Sequence, residues 1–445
     1  MSHHPDHPDV LEQTLDCYDP AERAAALRTL LQQTERGEIR LPAPGSAVNL
    51  HAHTFYSYNA YGYSPTGFAW RARKAGLAAG GIVDFDTLDG VAEFLGAARA
   101  AGLPAAAGIE TRVFVPTFAA RVINSPGEPG IAYHLGMGFV AGTATPAQAE
   151  FVARLRRIAA DRNCGIVARV NPVLAPVELD YRRDVERLTP RGNATERHIC
   201  LAYARMARAR FGDGPALAAY WSERLGCDAA KLDLPEGPKL QGEIRSKLMK
   251  RGGAGYVAPD QGAFPTLDEM NRFVAGAGAI PTIAWLDGTT EGEQAMDELM
   301  DAGAASGVVA LNIIPDRNYT PGREDAKLRN LRDVIARARA RHWPIFVGTE
   351  MNSPGNKFVD AFDSAELSPF VPDFLRGARI AWAHTALQAA GGMGFVSDWA
   401  RRFLPGLRER GDFFAEAGAR LDPREGCPPG AADPARSPEQ VLSAI

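Results

Sequence analysis

Cysteine is scarce in this 445-residue chain. The five that occur, Cys17, Cys164, Cys200, Cys227 and Cys427, are far apart and none forms a CxxC pair. That spacing argues against a disulfide framework or a cysteine zinc clip and predicts free thiols in a reducing, cytoplasmic setting. No apolar run reaches the ~18 residues that a membrane span needs, so no membrane partner is expected. The opening MSHHPDHPDV lacks the basic and apolar regions of a signal peptide. Its histidines, His3, His4 and His7, read as part of a polar, frayed end. Excess positive charge is missing too, with 49 Lys and Arg against 53 Asp and Glu and a net charge of −4. A strong nucleic-acid surface is therefore not expected, whereas a small-molecule substrate needs only a few local arginines. There is no internal repeat, and nothing in the pattern specifies an oligomer.

What the chain does have is apolar residues, 46% of the total, and length enough for one large domain or two smaller ones. Residues 1–46 read as a helical extension. There Asp19 is a candidate N-cap, Pro20 a candidate first helical residue, and AERAAALRTLLQQTERG one helix. From residue 47 short apolar runs alternate with helical patterns. AVNLHAH, GGIVDFD, PAAAGIETRVFV and IAYHLGMGFVAG lead; IPTIAWLD, GVVALNII and PIFVGTE follow. ARIAWAH reads as one more strand. Such alternation implies a parallel sheet covered on both faces and, at about seven units, an α/β barrel with its site at the C-terminal strand ends. The rhythm spans 47–170 and 263–420. Residues 171–262 break it and read as a helical insertion subdomain. The tail 421–445, rich in Pro, Gly and Ala, reads as flexible.

Chemistry gathers at the strand ends. His51 and His53 stand one residue apart and, by strand alternation, share a face. Glu110 in GIET, His134 in AYHLGMG and Glu350 at the end of PIFVGTE add two carboxylates and a third imidazole. Together these side chains suit zinc, manganese or iron. Taken singly, each has a plainer reading as a packed or paired residue. The loop after His53 carries Phe55, Tyr56, Tyr58, Tyr61 and Tyr63 in place of further ligands. Asp84 and Asp86 read as capping or ion-pair residues facing away from Phe85, and His384 as a packed histidine. Arg121 and Asn124 lie in a loop from which they could reach a substrate.

These motifs resemble the PHP (polymerase and histidinol phosphatase) superfamily of metal-dependent phosphoesterases, over about residues 48–352. NLHAHT, VDFDTLDG, GIET and YHLGMGF carry the likeness, with TERHICLA and GGAGYVAPDQGAFPTLDEMNRFVAGAGAIPTIAW. The nearest branch cleaves phosphate from nucleotides and RNA 5′ ends and carries a helical insertion. The resemblance implies a distorted (β/α)7 barrel. It also implies a tight metal site formed by His51, His53, Glu110 and Glu350, and a weaker second one using Glu110 and His134. Trp285 stands where that second site needs a histidine, with Asp287 as the substitute. The third site is lost, because Tyr58 or Asn59, Phe85 and Asn352 replace its ligands. Those residues then read as a replacement wall.

The function so implied is a metal-dependent hydrolase, a phosphoesterase acting on a small phosphorylated or nucleotide-like substrate through a metal-bound hydroxide. Asp287 or His134 would serve as general acid or base. Arg112, Arg197 and His198 would neutralise the substrate, and Tyr58 would contact it. The alternatives are a metal-dependent hydrolase of a non-phosphate substrate and a non-catalytic binding module.

Overall fold

A computed structural model describes residues 6–258, 261–318 and 324–445; His3 and His4 lie outside them. Seven strands form one sheet in sequential order: β1 (Val48–Ala52), β2 (Ala79–Phe85), β3 (Ala105–Phe114), β4 (Ile131–Met137), β5 (Ile280–Trp285), β6 (Ala310–Ile313) and β7 (Ile345–Val347). The sheet is nearly closed and barrel-shaped, with helices around it, which fits a distorted barrel. Closure runs between β1 and the segment after β7. Thr349 and Glu350 donate their backbone N–H groups to the His51 carbonyl, and His53 donates to the Glu350 carbonyl. Gly348 permits this approach, since a Cβ there would lie 2.3 Å from the His51 nitrogen.

The expected all-parallel sheet is corrected at β4, which is antiparallel to both β3 and β5. The physical reason is the connection. Between β3 and β4 lies a loop with one short turn, Pro116–Phe118, and no crossover helix, so the chain can only turn back. ARIAWAH is corrected as well. It sits inside the helix Val371–Gly391, which buries Ile380, Ala381 and Trp382. Its apolar run is short enough to fit either element, and periodicity alone does not decide such cases.

Before the barrel, helices Pro8–Thr14 and Pro20–Glu35 bury Leu11, Leu15, Leu27 and Leu30. Asp19 caps the second, accepting from the backbone of Ala21 and Glu22. After β4 the helix Pro146–Leu174 opens with a Thr145/Gln148 capping box and runs without a break into the insertion. A second hydrophobic core then extends from Ile166 to Met249 and includes Tyr203 and Trp221. The tail is folded where composition reads as flexible. Helix Pro438–Ala444 is present, and Ala431 and Val441 are buried; a few apolar contacts with the main core offset a Pro- and Gly-rich composition. Among the described residues no helix is long and apolar enough to cross a membrane, and all five cysteines are free thiols.

Candidate metal centre

His51 lies in β1 and His53 directly follows it, and Glu110 faces them from β3. Glu110 Oε2 lies 3.3 Å from His51 Nε2 and 3.1 Å from His53 Nε2. All three side chains are buried and form a group able to hold a metal ion. Their orientation is enforced from behind. His51 Nδ1 donates to Asn312 Oδ1 at 2.9 Å. His53 Nδ1 faces Ser57 Oγ at 3.3 Å, and Ser57 donates onward to Asp84. A proton held on each Nδ1 leaves each Nε2 with its lone pair directed at Glu110, the arrangement of a metal-ligating imidazole.

Whether an ion fits is answered by the polar atoms themselves. His51 Nε2, His53 Nε2 and Glu110 Oε2 are buried, face only one another, and have no hydrogen-bond partner outside the group. Leaving a buried polar atom unsatisfied costs roughly 1–3 kcal/mol, and here three such atoms converge on one point. Two imidazoles and a carboxylate are donors that a borderline divalent ion accepts. Burial alone would raise the Glu110 carboxyl, but His51 and then His53 hold it down at about 2. Burial works against a protonated His51, yet Glu110 and Glu350 raise it overall.

Glu350 lies beside this group without joining it. Both its oxygens accept from Arg317 Nη2, at 2.9 and 3.2 Å. It occupies the left-handed backbone region, at φ 60°, which a residue with a Cβ adopts at some cost. Asp287 is engaged elsewhere, with Lys327 at 2.9 Å and with Thr289.

His134 is turned away from the centre. Leu135 pairs with Glu110 across the antiparallel ladder, whereas His134 pairs with Thr111. Directly opposed residues share a face. Tyr133 and Arg112 therefore share the Glu110 face, and His134 points outward. Its ring nitrogens make no close hydrogen bond, and burial lowers its pKa to about 4 against the opposing contact with Asn271. A step of one residue along a strand reverses the face, which corrects the reading of His134 as ligand or acid–base group.

A cavity of about 810 Å³ opens in front of the centre. Glu110, Glu350, Phe85, Tyr58 and Asn352 all line it. Phe85 stacks on His53, with ring centroids 4.4 Å apart and planes 17° apart. Of the tyrosine row only Tyr58 lines the cavity. Tyr56 donates to Glu93, Tyr61 donates to the Asn356 carbonyl, and Tyr63 lies under Arg71. Asp86 also lines the cavity, because its φ of 56° breaks strand alternation. Burial raises it to about 6, against a hydrogen bond from Thr111.

The long helix after β4 and the insertion add cations to the cavity lining. Arg162, Arg245 and Lys250 surround Glu196, at 3.3, 2.9 and 2.6 Å. Arg197 bonds Ser353 at 2.8 Å and has no carboxylate partner among the described residues. Burial first, then neighbouring arginines, lower the pKa values of Arg162 and Arg197. Arg112 lines the cavity too, paired with Glu128 at 3.1 Å. His198 is bound into its own helix start, where Nδ1 accepts from the Thr195 N–H. Burial holds its pKa at about 3, so it adds no positive charge near neutral pH. Arg121 pairs with Glu298 at the surface, Asn124 ties the Ala284 carbonyl to the Tyr133 N–H, and His384 bridges Gly138 and Phe395.

Sequence reading missed Asn312, Ser57, Tyr133 and Arg317. Asn312 had a signal, as the lone polar residue inside the apolar run VVALNII. The others stand in segments where a polar residue is unremarkable.

No protein-family model matches the chain, and no curated protein matches it. Among solved structures, one that is similar is an amidohydrolase from Chromobacterium violaceum, with bound sulfate and no metal. It is 19% identical, covers 69% of this chain and 88% of that one, and superposes with a TM-score of 0.49. Another is a "putative metal-dependent phosphoesterase" from Bifidobacterium adolescentis. It is 18% identical, covers 75% of this chain and 98% of that one, and has a TM-score of 0.45.

Proposed function

We propose that the protein is a metal-dependent hydrolase of the PHP type and that its substrate is a small phosphate ester, nucleotide-like in size. The observation that carries this is the convergence of three buried ligand atoms, from His51, His53 and Glu110, with Glu110 lining a cavity rich in arginine. A divalent ion at that point supplies Lewis-acid polarisation and water activation near neutral pH.

The chain's own residues do the rest. Asn312 and Ser57 keep the two imidazoles in the ligating tautomer. Arg112, Arg197 and Arg317 line the cavity and offer planar donors to an anionic substrate, where charge-assisted hydrogen bonds are strongest. Tyr58 and Phe85 give it an aromatic wall on which a ring can lie. Arg197, Arg245 and Lys250 of the insertion line the same cavity, and a contact there strengthens as water is displaced by substrate.

Screening metal-reconstituted protein against phosphomonoesters, nucleotides, uncharged esters and amides tests the proposal. Turnover of phosphoesters that disappears in Glu110→Gln is expected. Turnover confined to uncharged substrates would replace the phosphoesterase reading with another hydrolase, and no turnover would leave a binding module.

A further inference from the structure

We propose that the Tyr133 hydroxyl is a catalytic hydrogen-bond donor, which stabilises the leaving oxygen of the substrate as that oxygen separates from phosphorus. This rests on the phosphoesterase reading of the same cavity.

Tyr133 stands on β4, where it pairs with Arg112 of β3 and so shares the inner face with Glu110. Asn124 fixes its backbone there. Asn124 Oδ1 accepts the Tyr133 N–H at 2.8 Å, and Nδ2 donates to the Ala284 carbonyl at 2.9 Å. The side chain is partly exposed and lines the cavity. Its ring lies 6.3 Å from that of Phe85, which in turn stacks on His53 at 4.4 Å. Tyr133 is thus one ring further from the ligand than Phe85. That position suits the ester oxygen of a phosphoryl group seated at His51, His53 and Glu110.

The hydroxyl makes no hydrogen bond to any described residue, although charge surrounds it. Arg112, Arg162, Arg245 and Arg317 lie within electrostatic reach, as do Glu110 and Glu128. A phenol without a partner among such groups is a donor kept for something that enters the cavity. Burial raises its pKa and outweighs Arg112, so it stays protonated near neutral pH. The arginines are permanent cations and serve oxygens already charged in the bound ester. A neutral donor suits the leaving oxygen, which gains charge only as its bond to phosphorus breaks. The phenol keeps its proton, and the departing oxygen takes one from water. His134 faces outward, Asp287 is paired with Lys327, and Asp86 is engaged by Thr111. Tyr58 packs edge-on to His198 of the insertion, which leaves Tyr133 for this place.

The test compares Mn²⁺-reconstituted wild type and Tyr133→Phe on phenyl phosphate and p-nitrophenyl phosphate. On phenyl phosphate, whose leaving oxygen is the more basic, kcat is expected to fall about 100-fold, the worth of one such donor. On p-nitrophenyl phosphate the fall is expected to be about tenfold or less, because that oxygen needs less help. KM is expected to stay within about threefold for both esters, with metal content and thermal melt unchanged. A second readout needs no turnover and no second variant. In metal-free protein carrying 3-fluorotyrosine at position 133, the fluorine resonance is expected to shift as phenyl phosphate is titrated in. A resonance unmoved at saturation, or equal losses on the two esters, would overturn the proposal. So would a loss of metal or of thermal stability in Tyr133→Phe, which would mark a structural role. Wild-type kcat in Tyr133→Phe would overturn it too and leave the phosphoesterase reading standing. No hydrolysis of either ester by wild type would overturn both.

Discussion

Asn312 Oδ1 sits 2.9 Å from His51 Nδ1, across the barrel interior from β6 to β1. This contact decides which imidazole nitrogen is free to bind. Asn312→Leu should lower affinity for a divalent ion about 10–100-fold, the usual effect of removing such a supporting contact. Asn312→Asp, which accepts the same proton, should keep most of it. Competition with a fluorescent chelator measures both. Equal affinity in wild type and the leucine variant would refute the role.

His51→Ala and Glu110→Gln should each abolish tight binding, because each removes one of three convergent donors. His134→Leu should leave stoichiometry and affinity unchanged. Its ring is buried and makes no close hydrogen bond, with Asn271 as its polar neighbour, so an apolar replacement of similar size should change stability little. Elemental analysis with a thermal melt checks this. Loss of metal in His134→Leu would mean that the strand face has been misassigned.

Glu196 predicts a pH dependence. Although burial opposes its charge, Lys250, Arg245 and Arg162 hold its pKa at about 2, from an ordinary 4.5. A depressed carboxylate contributes stability that is present above its unfolded pKa and lost as pH falls through the folded one. The contribution should be complete above about pH 5 and should fade between pH 4.5 and 2. It is worth on the order of 3 kcal/mol by linkage. Denaturant melts of wild type and Glu196→Gln should differ near pH 7 and converge in acid. A difference independent of pH would show that the ion cluster is not its source.

Arg197 has a hydroxyl partner and no carboxylate partner among the described residues. Arg197→Ala should therefore raise KM for an anionic substrate by about tenfold or more, the worth of one charge-assisted hydrogen bond. The rise should shrink as salt increases, and an uncharged substrate should show none. A change in kcat alone would point away from substrate binding.

The sequence by itself determined the strand segments and the residue pair that anchors the site. β-strand periodicity is local, so the single residue between His51 and His53 places both on one face wherever the strand lies. The N-cap at Asp19 was legible for the same reason, as was the strand that carries Glu110, although it runs on to Phe114. Tertiary structure decided which face is inward and which partner each charge takes. β4 is largely buried on both sides, so its apolar pattern carries no mark of inside and outside, and the choice between Tyr133 and His134 waits on pairing with β3. Glu350 meets Arg317 and Asn312 meets His51 across 33 and 261 residues of chain. No local pattern encodes such pairs, because the barrel must close before either side chain has its neighbour.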